Sequence, residues 1–256
     1  MRSYLLLAAL LFALSISTNA KAYFNVTYIN TTVVLGSNTT AHVIENILVY
    51  VSNSSVSQYQ QDRGALTFTL SDWQKAIGSP TIVQHIVNPT SSITNFTFLP
   101  GPLVDINAQG GQAELTMIYY VNNVTNFTNI APRIFQYNFN DYVFNFQHAS
   151  SGQILSPDTK LNIRIPYGAQ LVSVYPAPDS PPPDTVGSYP NDTTFSWYAS
   201  EPLSKFRFSY TVQESLQEEV IGYFTYVYKT YTALLYLLLI ALIALAAFYA
   251  LAKARG

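Results

Sequence analysis

Asn25, Asn30, Asn38, Asn53, Asn95, Asn123, Asn126 and Asn191 each open an Asn-x-Ser/Thr triplet. That spacing serves N-linked glycosylation: the asparagine amide receives the sugar, and the hydroxyl two residues on completes the acceptor. Asn88 is excluded by Pro89. One triplet is a weak signal in a chain so rich in Asn and Thr; eight on one side of a membrane are a stronger one. In a strand, residues two apart share a face. The acceptor and its hydroxyl would then face water while Val26, Phe96, Val124 or Phe127 faces a core. Asn123 and Asn126 differ by three, so one of them belongs in a turn. The competing reading is that Asn and Thr simply populate the wet face of a sheet.

Other chemistry has little support. His42, His85 and His148 show no metal-ligand spacing, and the chain has no cysteine. It contains neither a Gly-x-Ser-x-Gly elbow nor a glycine-rich phosphate loop. Asp62-Arg63, and Asp72 beside Trp73, read as local salt bridging. Asp179 and Asp184 are too sparse for a calcium loop. No cofactor, metal or catalytic residue is expected, and the chain is read as a non-enzyme. Trp73, Tyr119, Tyr120 and Trp197 could face a sugar or a peptide, though core packing explains them equally well. With 10% charged residues and a net charge of −2, nothing draws it to nucleic acid.

These triplets need a membrane topology that puts them on the exterior. Residues 1–22 read as a signal peptide: Arg2, an apolar run from Tyr4 to Ile16, then Ala20-Lys21-Ala22. Residues 231–252 carry no charge and would form about 33 Å of helix, enough for one crossing. Lys253 and Arg255 then mark 253–256 as a cytoplasmic tail, with the N-terminal part outside. Ala246, Ala250 and Ala254 recur every four residues, a spacing that lets membrane helices approach closely; plain alanine-rich composition is the alternative. Residues 214–230 read as a membrane-proximal amphipathic helix opened by Ser215 and Glu218 and continuous with the span. Its apolar stripe could pack on its own domain, lie in the membrane interface or meet a partner helix.

The exterior alternates apolar with polar, the mark of half-buried strands. Leu66–Leu70, Leu161–Ile165 and Phe206–Val212 alternate cleanly. Val43–Val51, Ile82–Val87, Ile93–Leu99, Ala113–Val121, Ile134–Phe146, Gln170–Tyr175 and Thr194–Tyr198 are further strands; only Ser71–Ile77 reads as helical. Phe24–Thr40 forms a first hairpin. Phe24, Val26 and Tyr28 face inward there, and a bulge after Tyr28 returns Ile29, Thr31, Val33 and Leu35 to the core. The expected class is an all-β ectodomain of one or two antiparallel β-sandwich domains, followed by the stalk and single transmembrane helix. A first β domain would cover 23–130 and a second 131–213, with the proline-rich 175–192 a stiff loop within the second.

"NTTAHVIENILVYVSN" (38–53) and "FSWYASEPLSKFRFSYTV" (195–212), with this plan, resemble uncharacterised single-pass cell-surface glycoproteins of archaea. The plan is also loosely similar to ribophorin-like subunits of oligosaccharyltransferase. The first resemblance implies a structural or adhesive role in the cell envelope. The second implies an accessory subunit of a translocon, transporter or glycosylation machine. Expected partners are membrane lipid, a protein partner met through the stalk or transmembrane helix, and further copies of the chain.

Overall fold

The computed structural model describes residues 24–78, 82–150, 152–181, 193–198 and 202–255. The segment read as a signal peptide, Asn191 and most of the proline-rich loop lie outside them. β1 (Phe24–Leu35) and β2 (Ala41–Ser52) form the first hairpin across the Gly36–Thr40 turn. The bulge falls between Val26 and Tyr28, one residue earlier than the alternation suggests. Phe24, Ile29, Thr31, Val33 and Leu35 are buried, whereas Tyr28 points outward. Along β2 every second residue from Ala41 to Val51 is buried, as a period of two on a one-sided sheet demands.

β3 (Thr94–Pro100), β4 (Gly110–Val121), β9 (Thr159–Arg164) and β11 (Thr194–Trp197) complete a six-stranded sheet in the order β11-β9-β1-β2-β4-β3. β5 (Thr125–Ala131), β6 (Ile134–Phe139), β10 (Gln170–Tyr175) and β12 (Arg207–Gln213) form a second sheet in the order β10-β12-β6-β5. β7 (Gln147–Ala149) and β8 (Gly152–Ile154) make a small hairpin. The inner faces of the two large sheets meet through rings: Phe195 lies 5.5 Å from Phe208, and Trp197 lies 5.1 Å from Phe206. Each such fully buried aromatic contributes about 2–3 kcal/mol of apolar burial. Tyr137 and Tyr210 stack at 5.1 Å and donate to the Ser37 and Gly36 carbonyls in the first turn, at 2.6 and 3.0 Å. Burial pushes the Tyr210 phenol well above its ordinary range.

The fold is mostly β, but two features of the expected class are corrected. The six-stranded sheet is mixed rather than antiparallel, because β9 runs parallel to β1 from Ile29↔Thr159 onward. A boundary at 130/131 would cut the β5–β6 hairpin, and the β1–β9 pairing joins the two halves in one sheet.

Three strand assignments also change. Leu66–Leu70 is a turn entering α2 (Leu70–Ile77), with Leu66 fully exposed. The Thr69 hydroxyl caps the Asp72 N–H while the Asp72 carboxylate accepts from the Thr69 N–H at 2.9 Å, and this reciprocal box outweighs five residues of alternation. Gly78, at φ 67°, ends α2 in the left-handed region open to glycine. Just before it, α1 (Val56–Gly64) sets Tyr59 against Phe24 and Trp73 at 5.6 and 5.3 Å. The 82–87 segment makes one bridge, Ile86↔Phe144, instead of a strand. The strand from Ile134 stops at Phe139; Val143, Phe144 and Phe146 continue into the core without a ladder.

α3 runs from Leu216 to Arg255 with non-helical dihedrals at Tyr231 (φ −117°, ψ 22°), so the stalk and apolar segment are not one straight helix. Among the described residues no single helix is long and apolar enough to cross a membrane. Glu219–Thr232 and Tyr236–Ala246, bent by 81°, meet that length and composition together. Leu216, Val220, Ile221, Tyr223, Phe224, Tyr226 and Tyr228 are all at least half exposed. The stalk therefore does not pack its stripe on the β domain. Its link is polar: Arg133 Nε lies 3.6 Å from Glu219 Oε2.

Candidate functional site

Seven of the eight acceptor asparagines lie within the described residues, and all but Asn30 are exposed. Their surroundings differ. On β1, Asn25 and Thr27 are exposed while Val26 packs on the core, and the Thr27 hydroxyl donates to the Leu48 carbonyl at 3.1 Å. On β5, Asn126 and Thr128 are exposed, and the Phe127 ring lies 5.8 Å from that of buried Tyr137. Asn95 and Phe96 sit in a register break of β3 between Thr94 and Thr97, with Asn95 at φ 52°. Phe96 is 39% exposed, its ring tilted 6.2 Å from that of Tyr119, so the inward Phe96 expected from simple alternation is corrected: the bulge turns it out. Phe127 likewise touches the core yet stays 54% exposed.

The remaining triplets are more enclosed. Asn123, at φ 57°, is in the turn before β5, and its Thr125 is buried. Asn30 accepts from Asn162 Nδ2 at 2.7 Å, and the same amide reaches the Thr32 hydroxyl at 3.2 Å. Asn38 accepts from the Thr40 N–H at 3.1 Å in the first turn. Asn53 is exposed after β2, while its Ser55 is buried. Ala246 and Ala250 are exposed on α3, and the side chain of Ala254 lies outside the described ones.

The aromatics proposed for a ligand do not form a surface. Trp73, Tyr119 and Trp197 are 1%, 0% and 0% exposed, and only Tyr120 reaches solvent, stacked on His42 at 4.7 Å. Asp72 lies in the first turn of α2 and completes the box opened by Thr69, whose hydroxyl and N–H hold its carboxyl below the usual carboxylate range. Asp62 is buried and accepts from Gln58 Nε2 at 2.6 Å. Among the described residues no group of three His, Cys, Asp or Glu is placed to hold a metal. A shallow polar cleft of about 430 Å³ lies against the four-stranded sheet, lined by Asn138, Asp141, Ser173, Lys205, Arg207 and Ser209 among others.

One cluster escaped the sequence reading. Glu45 on β2 is fully buried between Val43 and Ile47, inward positions of the alternation. Its Oε1 accepts from the His85 backbone N–H at 2.8 Å and from the Tyr119 hydroxyl; its Oε2 lies 2.5 Å from His85 Nδ1. His85 stacks on Phe146 at 5.0 Å, and the Tyr119 phenol is pushed well up by burial and by Glu45. Within 82–88 the carboxylate takes the His85 N–H, the Ile86 N–H donates to the Tyr119 hydroxyl, and the Val87 N–H and His85 carbonyl bond Val143 and Asn145, so the segment lies against the sheet without a ladder. The signal was present: a lone charge at an inward position of a clean alternation.

No protein-family model matches the chain, and no curated protein matches it in sequence. Among solved structures, the folded domain of LppM from Mycobacterium tuberculosis, determined by NMR, is similar with a TM-score of 0.24 and 8% identity. The match covers 75% of this chain and 91% of that domain. At that score the likeness carries no argument.

Proposed function

We propose that the chain is a membrane-anchored, N-glycosylated β-sandwich protein with a structural or adhesive role in the cell envelope of an archaeon. In this reading residues 24–213 lie outside, 231–252 cross the membrane, and Lys253 and Arg255 remain cytoplasmic. The observation that carries it is the exposure of Asn25, Asn38, Asn53, Asn95, Asn123 and Asn126 on a domain whose large aromatics are mostly in the core. A surface dense in acceptors, with Trp73, Tyr119 and Trp197 withdrawn into the core, suits a glycan-coated wall component better than a receptor. Alkaline extraction of native membranes followed by glycopeptide mapping tests it. The protein stays with the membrane and carries glycan at several of these asparagines; release into the soluble fraction without glycan rejects the reading.

A second reading is favoured by α3 alone. Its exposed apolar side chains from Leu216 to Tyr228 have no cover from the β domain, as suits an accessory subunit docking through its stalk. Cross-linking in native membranes separates the two: a stoichiometric partner bound at 216–228 supports the subunit, and self-contacts or none support the wall component.

A further inference from the structure

The outer face of the four-stranded sheet carries one polar side chain from each strand in a single row. Asn126 on β5 stands opposite Asn138 on β6, Asn138 opposite Ser209 on β12, and Ser209 opposite Ser173 on β10. Tyr137, Phe208 and Tyr210, one position away, face the core, so the row faces out. The Ser173 and Ser209 hydroxyls bond each other at 2.6 Å. Asn138, Ser209 and Ser173 line the 430 Å³ cleft together with Lys205 and Arg207. Asn126, the fourth of the row, opens a glycosylation triplet. Its Nδ2, the atom that receives a sugar, donates to Asn140 Oδ1 at 2.7 Å. β6 and β12 are antiparallel. Asn140, two positions beyond Asn138, therefore lies on the same side of the row as Arg207, two positions before Ser209. The acceptor nitrogen is turned along the sheet, towards the side where the two cations are.

Lys205 and Arg207 are exposed, and among the described residues neither takes part in an ion pair. Asp141 shares the cleft but lies beyond ion-pair distance of both. This set of groups fits an acidic sugar. A guanidinium and an ammonium take a carboxylate or sulfate, while the two serine hydroxyls and the Asn138 amide suit ring hydroxyls. β12 carries the chain about 20 Å from Arg207 to Gln213 before α3 starts at Leu216. The cleft thus lies at the end of β12 away from α3, which favours a sugar over a lipid headgroup.

We propose that the cleft is the seat of the glycan on Asn126 of the same chain, with an acidic sugar of that glycan held by Lys205 and Arg207. Three strand spacings, about 14 Å, separate Asn126 from Ser173, a span for a short oligosaccharide laid over Asn138 and Ser209. A glycosylated amide keeps one N–H, so the bond to Asn140 can persist and fix the direction in which the glycan leaves. A tethered sugar is present at an effective concentration of about 1 mM, so a site with a Kd of about 0.1 mM stays occupied and shields Lys205 about tenfold. The inference rests on the glycoprotein reading and gives one of its glycans a place on the fold.

The test uses the full chain extracted from native membranes. The rate at which an amine-reactive ester acylates Lys205 is read by mass spectrometry against that of Lys75, whose side chain is 77% exposed. Thr128→Ala removes the triplet while leaving Asn126 and its bond to Asn140 in place, and its Lys205 is acylated about tenfold faster than the parent's. Enzymatic removal of glycan from the folded parent gives the same rise. Arg207→Gln keeps the Asn126 glycan yet recovers most of that rate, and Asn53→Gln changes nothing. Equal Lys205 rates in the parent and Thr128→Ala overturn the proposal; if both are slow, the cleft belongs to a ligand from outside the chain. A neutral glycan at Asn126 overturns it too, as does full protection in Arg207→Gln or an equal rise in Asn53→Gln. Glycan at other asparagines but not at Asn126 overturns it alone; glycan nowhere overturns the glycoprotein reading as well.

Discussion

A single carboxylate organises the interior of the larger sheet. Glu45 holds the His85 backbone, the His85 ring and the Tyr119 hydroxyl together, and Thr31 Oγ1, opposite it in the β1–β2 register, is buried without a partner. Removing one member of a buried ionisable pair strands the other, at a cost of about 3–5 kcal/mol. Glu45→Ala should lower stability by that amount, read from the urea midpoint of tryptophan fluorescence; a loss below about 1 kcal/mol would mean that 82–88 is held by its apolar contacts. Alternation in 41–51 made Glu45 legible as inward-facing. It could not reveal His85 or Tyr119 as partners, because their pairing depends on segments 40 and 74 positions away meeting in space. The acceptor asparagines were legible as residues, but not all of their surroundings were. Asn30 is enclosed by Asn162, and Phe96, expected inward, is turned outward by a bulge that no local pattern announces.

Long strands were read well because burial on one face imposes a period of two that survives any tertiary arrangement. β2 and β4, expected over Val43–Val51 and Ala113–Val121, run over Ala41–Ser52 and Gly110–Val121 with alternate residues buried. Short segments failed where a local hydrogen bond or a distant side chain overrode the pattern, as Thr69 and Asp72 did at the start of α2. The same box predicts a pH dependence. Asp72 is held below its ordinary value of 3.8 by the Thr69 hydroxyl first and its backbone N–H second, with Lys75 adding to them. A depressed carboxyl stabilises the fold above its unfolded pKa and loses that contribution as pH falls through the folded one. Thr69→Ala should therefore lower stability near neutrality, and the gap from the parent should narrow on acidification below the ordinary carboxylate value. A gap independent of pH would assign the loss to the Thr69 cap on the Asp72 N–H and its methyl packing, and not to the bond with the carboxylate. α3 shows the opposite limit: its length follows from composition, whereas its break at Tyr231 has no proline or glycine to announce it.

At the scale of the molecule, the parallel β1–β9 pairing and the shared core make one unit of the 24–213 region. Trp73 lies in the first half and Trp197 in the second, both in that core. Single-tryptophan variants, Trp73→Phe and Trp197→Phe, should report the same unfolding midpoint; two separated midpoints would show that the halves unfold independently. Composition and alternation were enough for a β-rich exterior, but not for this join. A parallel contact between distant strands leaves no trace in either strand's own sequence. That contact also sets a clock. Asn30 and Asn162, which meet across it, are 132 positions apart, and ribosomes add roughly 5–20 residues per second. A chain exported as it is made leaves β1 without its β9 neighbour for several seconds. During that interval the Asn30 and Thr32 side chains, later tied to Asn162, remain open to a glycosylating enzyme.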